Sequence, residues 1–266
     1  MRANRVALLA GLLAAATVLP GCAVLNGATA VVRAESAVRA AASAEQAAAL
    51  RAAIDAIPAA GAVSFTVAGV EVGLPVQLTG SAVLAGSPLA ELRYIHGRDE
   101  LHALVRGDVH YLAVNDRYRP TADKTPEVWT RVAGAGSGPE AFAVARIDED
   151  LADLHPRAQL GRLVALGSAA MQGHDEIGGG SAVHYSVTVP MERYQAIRKA
   201  SLRQYAAKLY QDAGVTTITA EAWIDAGHRL VRTRLRGRGI DDVTISYRYL
   251  ATAPTVPVPA GATAPA

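Results

Sequence analysis

Hydrophobic spacing changes three times along the chain. Val6–Val18 is a charge-free apolar run. Over Val31–Ile57, an Ala-rich stretch without Pro or Gly, Val38, Ala41, Leu50, Ile54 and Ile57 trace a loose stripe. That spacing predicts a helix ending at Pro58. From Ala62 the period becomes two. Val63, Phe65 and Val67 alternate with Ser64 and Thr66, and Val76, Leu78, Ala82 and Leu84 alternate with Gln77, Thr79 and Ser81. Leu92 and Tyr94 belong to a third strand, Leu101, Ala103 and Val105 to a fourth, and Val109, Tyr111 and Ala113 to a fifth. Gly86-Ser87-Pro88, Gly97 and Gly107-Asp108 mark the turns. A short strand over Glu127–Val132 carries Trp129. Adjacent strands on short links form an antiparallel meander.

After a loop over Gly134–Pro139, helices are predicted over Pro139–Leu154 and Ala158–Leu166, broken by Pro156. Ala169–Ile177 and Ala182–Val189 form a hairpin across Gly178-Gly179-Gly180. Met191–Tyr210 is predicted as an amphipathic helix, with Met191, Tyr194, Ile197, Leu202, Tyr205 and Leu209 on one side. Strands Val215–Asp225, Leu230–Arg238 and Val243–Leu250 follow. Ala251–Ala266 has four prolines and no charge, and is expected to be extended or disordered. The fold class is α+β: a strongly curved antiparallel sheet of about 10–11 strands, its concave face covered by helices.

Alternation also assigns faces. Ile218, Ala220, Ala222 and Ile224 share one face of their strand, and Val243, Ile245, Tyr247 and Tyr249 share one face of theirs. The inner face is built mainly from small and medium side chains. Interiors pack to a density of about 0.75, so space between sheet and helices is either filled or kept for a ligand, and the pattern leaves both open. The ligand alternative is one elongated apolar cavity lined by Phe65, Leu78, Leu84, Leu92, Tyr94, Leu101, Tyr185, Ile218, Ile224, Ile245 and Tyr247, with the small Ala220 and Ala222 beside that line. A strand of eight residues runs roughly 27 Å, enough to accompany an acyl chain.

Composition narrows the function classes. Apolar residues are 51% of the 266 but aromatics only 5%, and charged residues are 19%. This excludes a chain held open by its own charge. The formal net charge of +2 is too balanced for a nucleic-acid binder. One cysteine excludes a disulfide framework and a cysteine-based zinc site.

That cysteine is Cys22, and its position matters. Arg2 and Arg5 precede the Val6–Val18 run. As a helix the run would span about 20 Å, short of the roughly 30 Å hydrocarbon core, so it has signal-peptide length. Leu19-Pro20-Gly21-Cys22 resembles a bacterial lipobox, with Pro20 departing from the usual residue. The resemblance implies a diacylglyceryl thioether on Cys22 and cleavage after Gly21. The alternative is a plain secretory signal with a chance cysteine. No later stretch reaches eighteen apolar residues, so the body is expected to be held at a membrane surface on the exported side by its acyl chains.

Catalytic and metal signatures are lacking. The seven histidines, at 96, 102, 110, 155, 174, 184 and 228, form no close pair and read as surface or strand residues. No G-x-S-x-G elbow or Ser-x-x-Lys occurs, and neither Gly134–Gly138 nor Gly178–Gly180 has phosphate-loop or dinucleotide spacing. Asp148-Glu149-Asp150 reads as a solvated helix face rather than a cation site. Arg232, Arg234, Arg236 and Arg238 share one strand face. They could meet lipid phosphates, but a solvated outer face paired to Glu221, Asp225 or Asp241 is the simpler reading. No catalytic residue, metal or cofactor is expected.

The order of elements resembles the actinobacterial lipoprotein family of LppX, LprA, LprF and LprG, and more distantly LolA. Local echoes are Asp108-Val109-His110-Tyr111-Leu112, Glu127-Val128-Trp129-Thr130-Arg131-Val132, and Ala220–Asp225 with Leu230–Leu235. The resemblance implies a half-barrel with helices in its concavity and, in several members, a cavity for glycolipid acyl chains. It implies no enzyme. The expected organisation is a signal peptide over 1–21, a lipidated tether over 22–32, one domain over 33–250 and the tail over 251–266. The implied role is binding of lipid or glycolipid for transfer in the cell envelope, with any transporter partner unidentified. The alternative is an envelope sensor or partner-binding lipoprotein of the same fold.

Overall fold

The computed structural model describes residues 44–57, 61–71, 73–96, 99–116, 128–133, 139–167, 169–197 and 207–262. Its frame is an eleven-stranded sheet with all neighbours antiparallel, in the order β6-β5-β4-β3-β2-β1-β11-β10-β9-β8-β7. One meander comprises β1 (Ala62–Glu71), β2 (Leu74–Val83), β3 (Leu89–His96), β4 (Asp99–Arg106), β5 (Val109–Asp116) and β6 (Thr130–Ala133). The other comprises β7 (Ala170–Ile177), β8 (Gly180–Pro190), β9 (Thr217–Asp225), β10 (Leu230–Gly237) and β11 (Asp241–Leu250). β1 and β11 join them, with Phe65 opposite Tyr247 and Val67 opposite Ile245. β6 and β7 are the two edges, so the sheet is an open half-barrel.

The helices are α1 (44–56), α2 (Pro139–Leu154), α3 (Pro156–Leu166), α4 (Met191–Ile197) and α5 (207–212). Pro156 begins α3 rather than merely ending α2. It sits in the first turn, where a missing N–H costs nothing, and His155 caps the helix by accepting the Arg157 N–H at 3.1 Å. Arg157 also donates to the Ile57 carbonyl at 3.2 Å, tying α3 to the end of α1. Leu50, Ala53 and Ile57 are buried in the same core as the sheet's inner face. The Val31–Ile57 and Met191–Tyr210 helices are described only in part, because 31–43 and 198–206 lie outside the described residues.

Two expectations are corrected. The sixth strand is Thr130–Ala133, not Glu127–Val132. The fifth strand is apolar on both faces. His110 lies opposite Val105 and Val132, so it and Leu112 face inward, while Tyr111 and Ala113 pack outside with Leu104 and Trp129. Of the tail, 251–262 is described and contains no helix or strand, and Val256 is buried in that outer cluster.

Candidate functional site

Two apolar clefts lie in the concave face, one on each side of α2. The helix presents Ala141, Val144, Ala145, Asp148, Leu151 and Ala152 to the first, which has a volume of about 710 Å³. It presents Phe142, Ala143, Arg146, Ile147, Asp150 and Asp153 to the second, of about 620 Å³. At 3.6 residues per turn these are opposite faces of one helix. Leu154 borders both clefts.

The strands divide in the same way. Val63, Ala82, Leu84, Ala90 and His110 line the first cleft. Val67, Val76, Leu78, Tyr94, Leu101 and Val114 line the second. Between them runs a cross-strand row, Tyr247–Phe65–Gly80–Leu92–Ala103–Leu112. Gly80 lets this row close: a Cβ there would lie 2.5 Å from the Glu91 carbonyl oxygen and 2.8 Å from Leu92 Cδ2. Leu92 is 0% exposed and touches neither cleft.

All thirteen expected lining residues belong to one apolar core, but the structure divides them. Leu78, Tyr94, Leu101, Ala220 and Ile245 border the second cleft, and Phe65 and Leu84 the first. Leu92, Tyr185, Ile218, Ala222, Ile224 and Tyr247 border neither. The single elongated cavity is thus corrected to two clefts separated by a packed row. Sequence reasoning missed His110 and every α2 residue. The α2 stripes were readable, but nothing in them says that both face the sheet. Cys22 lies outside the described residues.

The polar groups differ between the clefts. In the first, two imidazoles stand in the wall. His155 is satisfied at both nitrogens: Nδ1 accepts from Arg157, and Nε2–H donates to the Leu84 carbonyl at 3.2 Å. His110 is 3% exposed and its Nε2 lies 2.8 Å from Asp148 Oδ1. A carboxylate only accepts, so Nε2 carries the proton. Nδ1 is buried without a partner. In the second, Arg146 pairs with Asp150 at 3.1 Å and Arg162 with Asp153 at 3.1 Å. Burial, reinforced by the Asp150 charge, pushes the Tyr94 phenol well above its ordinary value, so it stays neutral. Phe142 and Val114, 77% and 70% exposed, stand at the rim.

The convex face holds the arginine stripe. Arg234 makes a double hydrogen bond to Asp242, both at 2.8 Å. Arg236 pairs with Glu221 at 3.0 Å, and Arg232 lies over Trp223. Glu221 is thus a partner as expected. Asp242 replaces Asp241, which is buried and accepts from the Tyr210 hydroxyl. Asp225 pairs instead with Arg229, and β10 ends before Arg238. Among the described residues no group of three His, Cys, Asp or Glu could hold a metal, and no helix is long and apolar enough to cross a membrane.

No family model matches the chain, and no curated protein matches its sequence. Among solved structures, LprF from Mycobacterium bovis matches with a TM-score of 0.52 at 17% identity, over 82% of this chain and 98% of that one. The chain has the LprF-like fold. The Mycobacterium tuberculosis lipoprotein LppX aligns at 17% identity over 80% of this chain and 98% of that one, with a TM-score of 0.48. This structural likeness falls on the family that the order of elements resembles. Within the LprF-like fold, the open concavity leaves room for a ligand on both sides of α2.

Proposed function

We propose that this protein is an exported lipoprotein, anchored through Cys22, that holds the acyl chains of a lipid or glycolipid against its concave face for transfer within the cell envelope. The observation that carries this reading is the pair of apolar clefts beside α2, about 710 and 620 Å³. Both fall within the size range of small-molecule sites. Their lining surface is more apolar than polar, which suits a chain bound by burial at about 0.8 kcal/mol per CH₂. Candidate contacts are Phe65, Leu84 and Ala82 in the first cleft and Leu78, Tyr94, Leu101, Ala220 and Ile245 in the second.

Two measurements test the reading. Native mass spectrometry of the protein from its own host should show a bound lipid. Cys22→Ala should move the protein from the membrane fraction to the soluble one. A protein that carries no lipid and takes up no fluorescent lipid would instead be an envelope sensor or partner-binding module. A Cys22→Ala variant that stays in the membrane would remove the anchor.

A further inference from the structure

The concave clefts are not the only apolar surface of this fold. On the convex side a smaller cluster joins Leu104, Tyr111, Ala113 and Trp129 to Val256 of the C-terminal tail, with Leu89, Val109 and Ala262 packed against it. Leu104 lies between Ala103 and Val105, which face the inner core, so alternation turns it outward. His102 meets the Trp129 indole edge-on, with 4.7 Å between ring centres, and is itself bonded to Glu91 at 3.0 Å. The cluster is built on β3, β4, β5 and the residue before β6. Only Val256 and Ala262 reach it from outside the sheet, so among the described residues the tail is its cover.

The tail's chemistry suits that seat. Ala251–Ala266 has four prolines and no charge. Proline fixes its own φ near about −65° and pushes the residue before it toward the polyproline region. Pro254, Pro257 and Pro259 therefore bias six of the seven residues 253–259 to one backbone form. At about 3.1 Å per residue, the six residues from Leu250 to Val256 reach ~19 Å. That matches the four strand spacings from β11 across to β4, at about 4.8 Å each. β11 ends at Leu250 and 251–262 joins no strand, so no strand ladder fixes the tail in place. Val256 is 5% exposed, Pro254 and Pro259 are half-buried, and Pro257 and Val258 are exposed. An aromatic-lined surface that takes a pre-set proline-rich segment is a recurring mode of peptide recognition.

We propose that this convex patch is a recognition site for an uncharged proline- and valine-rich segment of another protein, and that the chain's own tail is its resident competitor. Trp129, Tyr111 and Leu104 form the seat. Val256 is the anchor that a partner segment must replace. The tail is tethered six residues away and competes at the roughly millimolar effective concentration of a short link, which keeps the seat closed to weak ligands. The proposal stands whether or not the concave clefts hold lipid.

The test uses the full chain on a Cys22→Ala background, with a fluorescein-labelled peptide of sequence 251–266 as the probe. Val256→Asp puts a charge on the tail that the apolar seat rejects, and so opens the seat. The peptide should bind this variant at least about tenfold more tightly than wild type, whose own tail blocks it. Val256→Ala is a milder change and should give an intermediate gain, which keeps the test valid if the aspartate disturbs folding. A peptide with Pro254, Pro257 and Pro259 replaced by alanine keeps Val256 but loses the pre-set backbone, and should bind about threefold more weakly or worse. The Trp129 indole N–H resonance should move when the peptide is added to Val256→Asp, while that of Trp223 stays in place. Equal binding to wild type and both variants, no binding to either variant, or an unmoved Trp129 resonance overturns the proposal and leaves the tail a structural cap. A wild-type dimer in sedimentation that becomes a monomer as Val256→Asp also overturns it, because the seat then takes the tail of a second copy.

Discussion

The two clefts share a helix, a sheet and a leucine, yet they differ in how they treat polarity. In the second cleft the charges are paired, Arg146 with Asp150 along α2 and Arg162 of α3 with Asp153 of α2. In the first, the α2 carboxylate is spent on orienting an imidazole, and the unused nitrogen is left inside the wall. The second cleft also has a bare apolar rim at Phe142 and Val114, whereas the first is bounded by the tight turns at Gly86 and Gly107. One helix thus separates two apolar clefts whose charged groups are arranged differently. The lesson is that volume and apolar lining, which the clefts share, say less about the ligand than the accounting of polar atoms.

The comparison depends on the partition, and breaking the partition should have the largest effect. Leu92→Ala removes a fully buried side chain from the row beneath α2 and should cost about 2–5 kcal/mol of stability, measured by urea unfolding. It should also merge the clefts, so that probes selective for one compete across both. A loss below about 1 kcal/mol would mean that the row is not the wall.

Ala222→Trp comes next. Ala222 is fully buried between Thr233 and Tyr185 and borders neither cleft. Overpacking there should destabilise by about 1–3 kcal/mol, with no selective loss at either cleft. Trp substitutions at true lining positions should behave differently. Ala82→Trp should block the first cleft and Ala220→Trp the second, each lowering probe affinity at its own site by about tenfold or more, equivalent to ~1.4 kcal/mol. If either one abolishes binding at both sites, the clefts act as one.

Asp148→Ala sharpens the difference in polarity. It removes the acceptor for His110 Nε2–H while leaving the second cleft untouched, and should lower thermal stability by about 1 kcal/mol. The smallest effect should come from the exposed Arg234–Asp242 pair, of which Arg234 also borders the second cleft. Arg234 holds the Asp242 carboxyl below its ordinary range. Its contribution is therefore present above the usual carboxylate range and fades as pH falls through the depressed value. The stability difference between wild type and Asp242→Asn should be constant near neutral pH, at most about 1 kcal/mol for an exposed pair, and should shrink below about pH 4. A binding defect in this variant would show that the arginine stripe takes part in ligand capture.

Much of the sheet was legible because period-two alternation reports directly which face is buried. Val63, Phe65 and Val67, or Ile218, Ala220 and Ala222, each assign a strand and its inner side without further information. The fifth strand shows where this fails. Val109 to Val114 is apolar at both parities apart from His110, so alternation gives no face, and only the pairing of His110 with Val105 and Val132 turns the imidazole inward. The tail shows a second failure. Composition marks 251–266 as unable to build a core of its own, but Val256 is buried in one cluster with Trp129, Leu104 and Tyr111.

What the sequence alone determined is most of the strands, the inner residues of those with clean alternation, and the helical character of 158–166. These follow from local spacing, which needs no distant partner. What only the tertiary structure decided is how the interior is divided. Whether small side chains leave one cavity, two or none depends on where α2 lies across the sheet, and that depends on contacts between residues far apart in the chain. The same holds for His110. Its residue type and strand were plain, but its burial, its bond to Asp148 thirty-eight residues later and its unused nitrogen arise only when helix and strand meet.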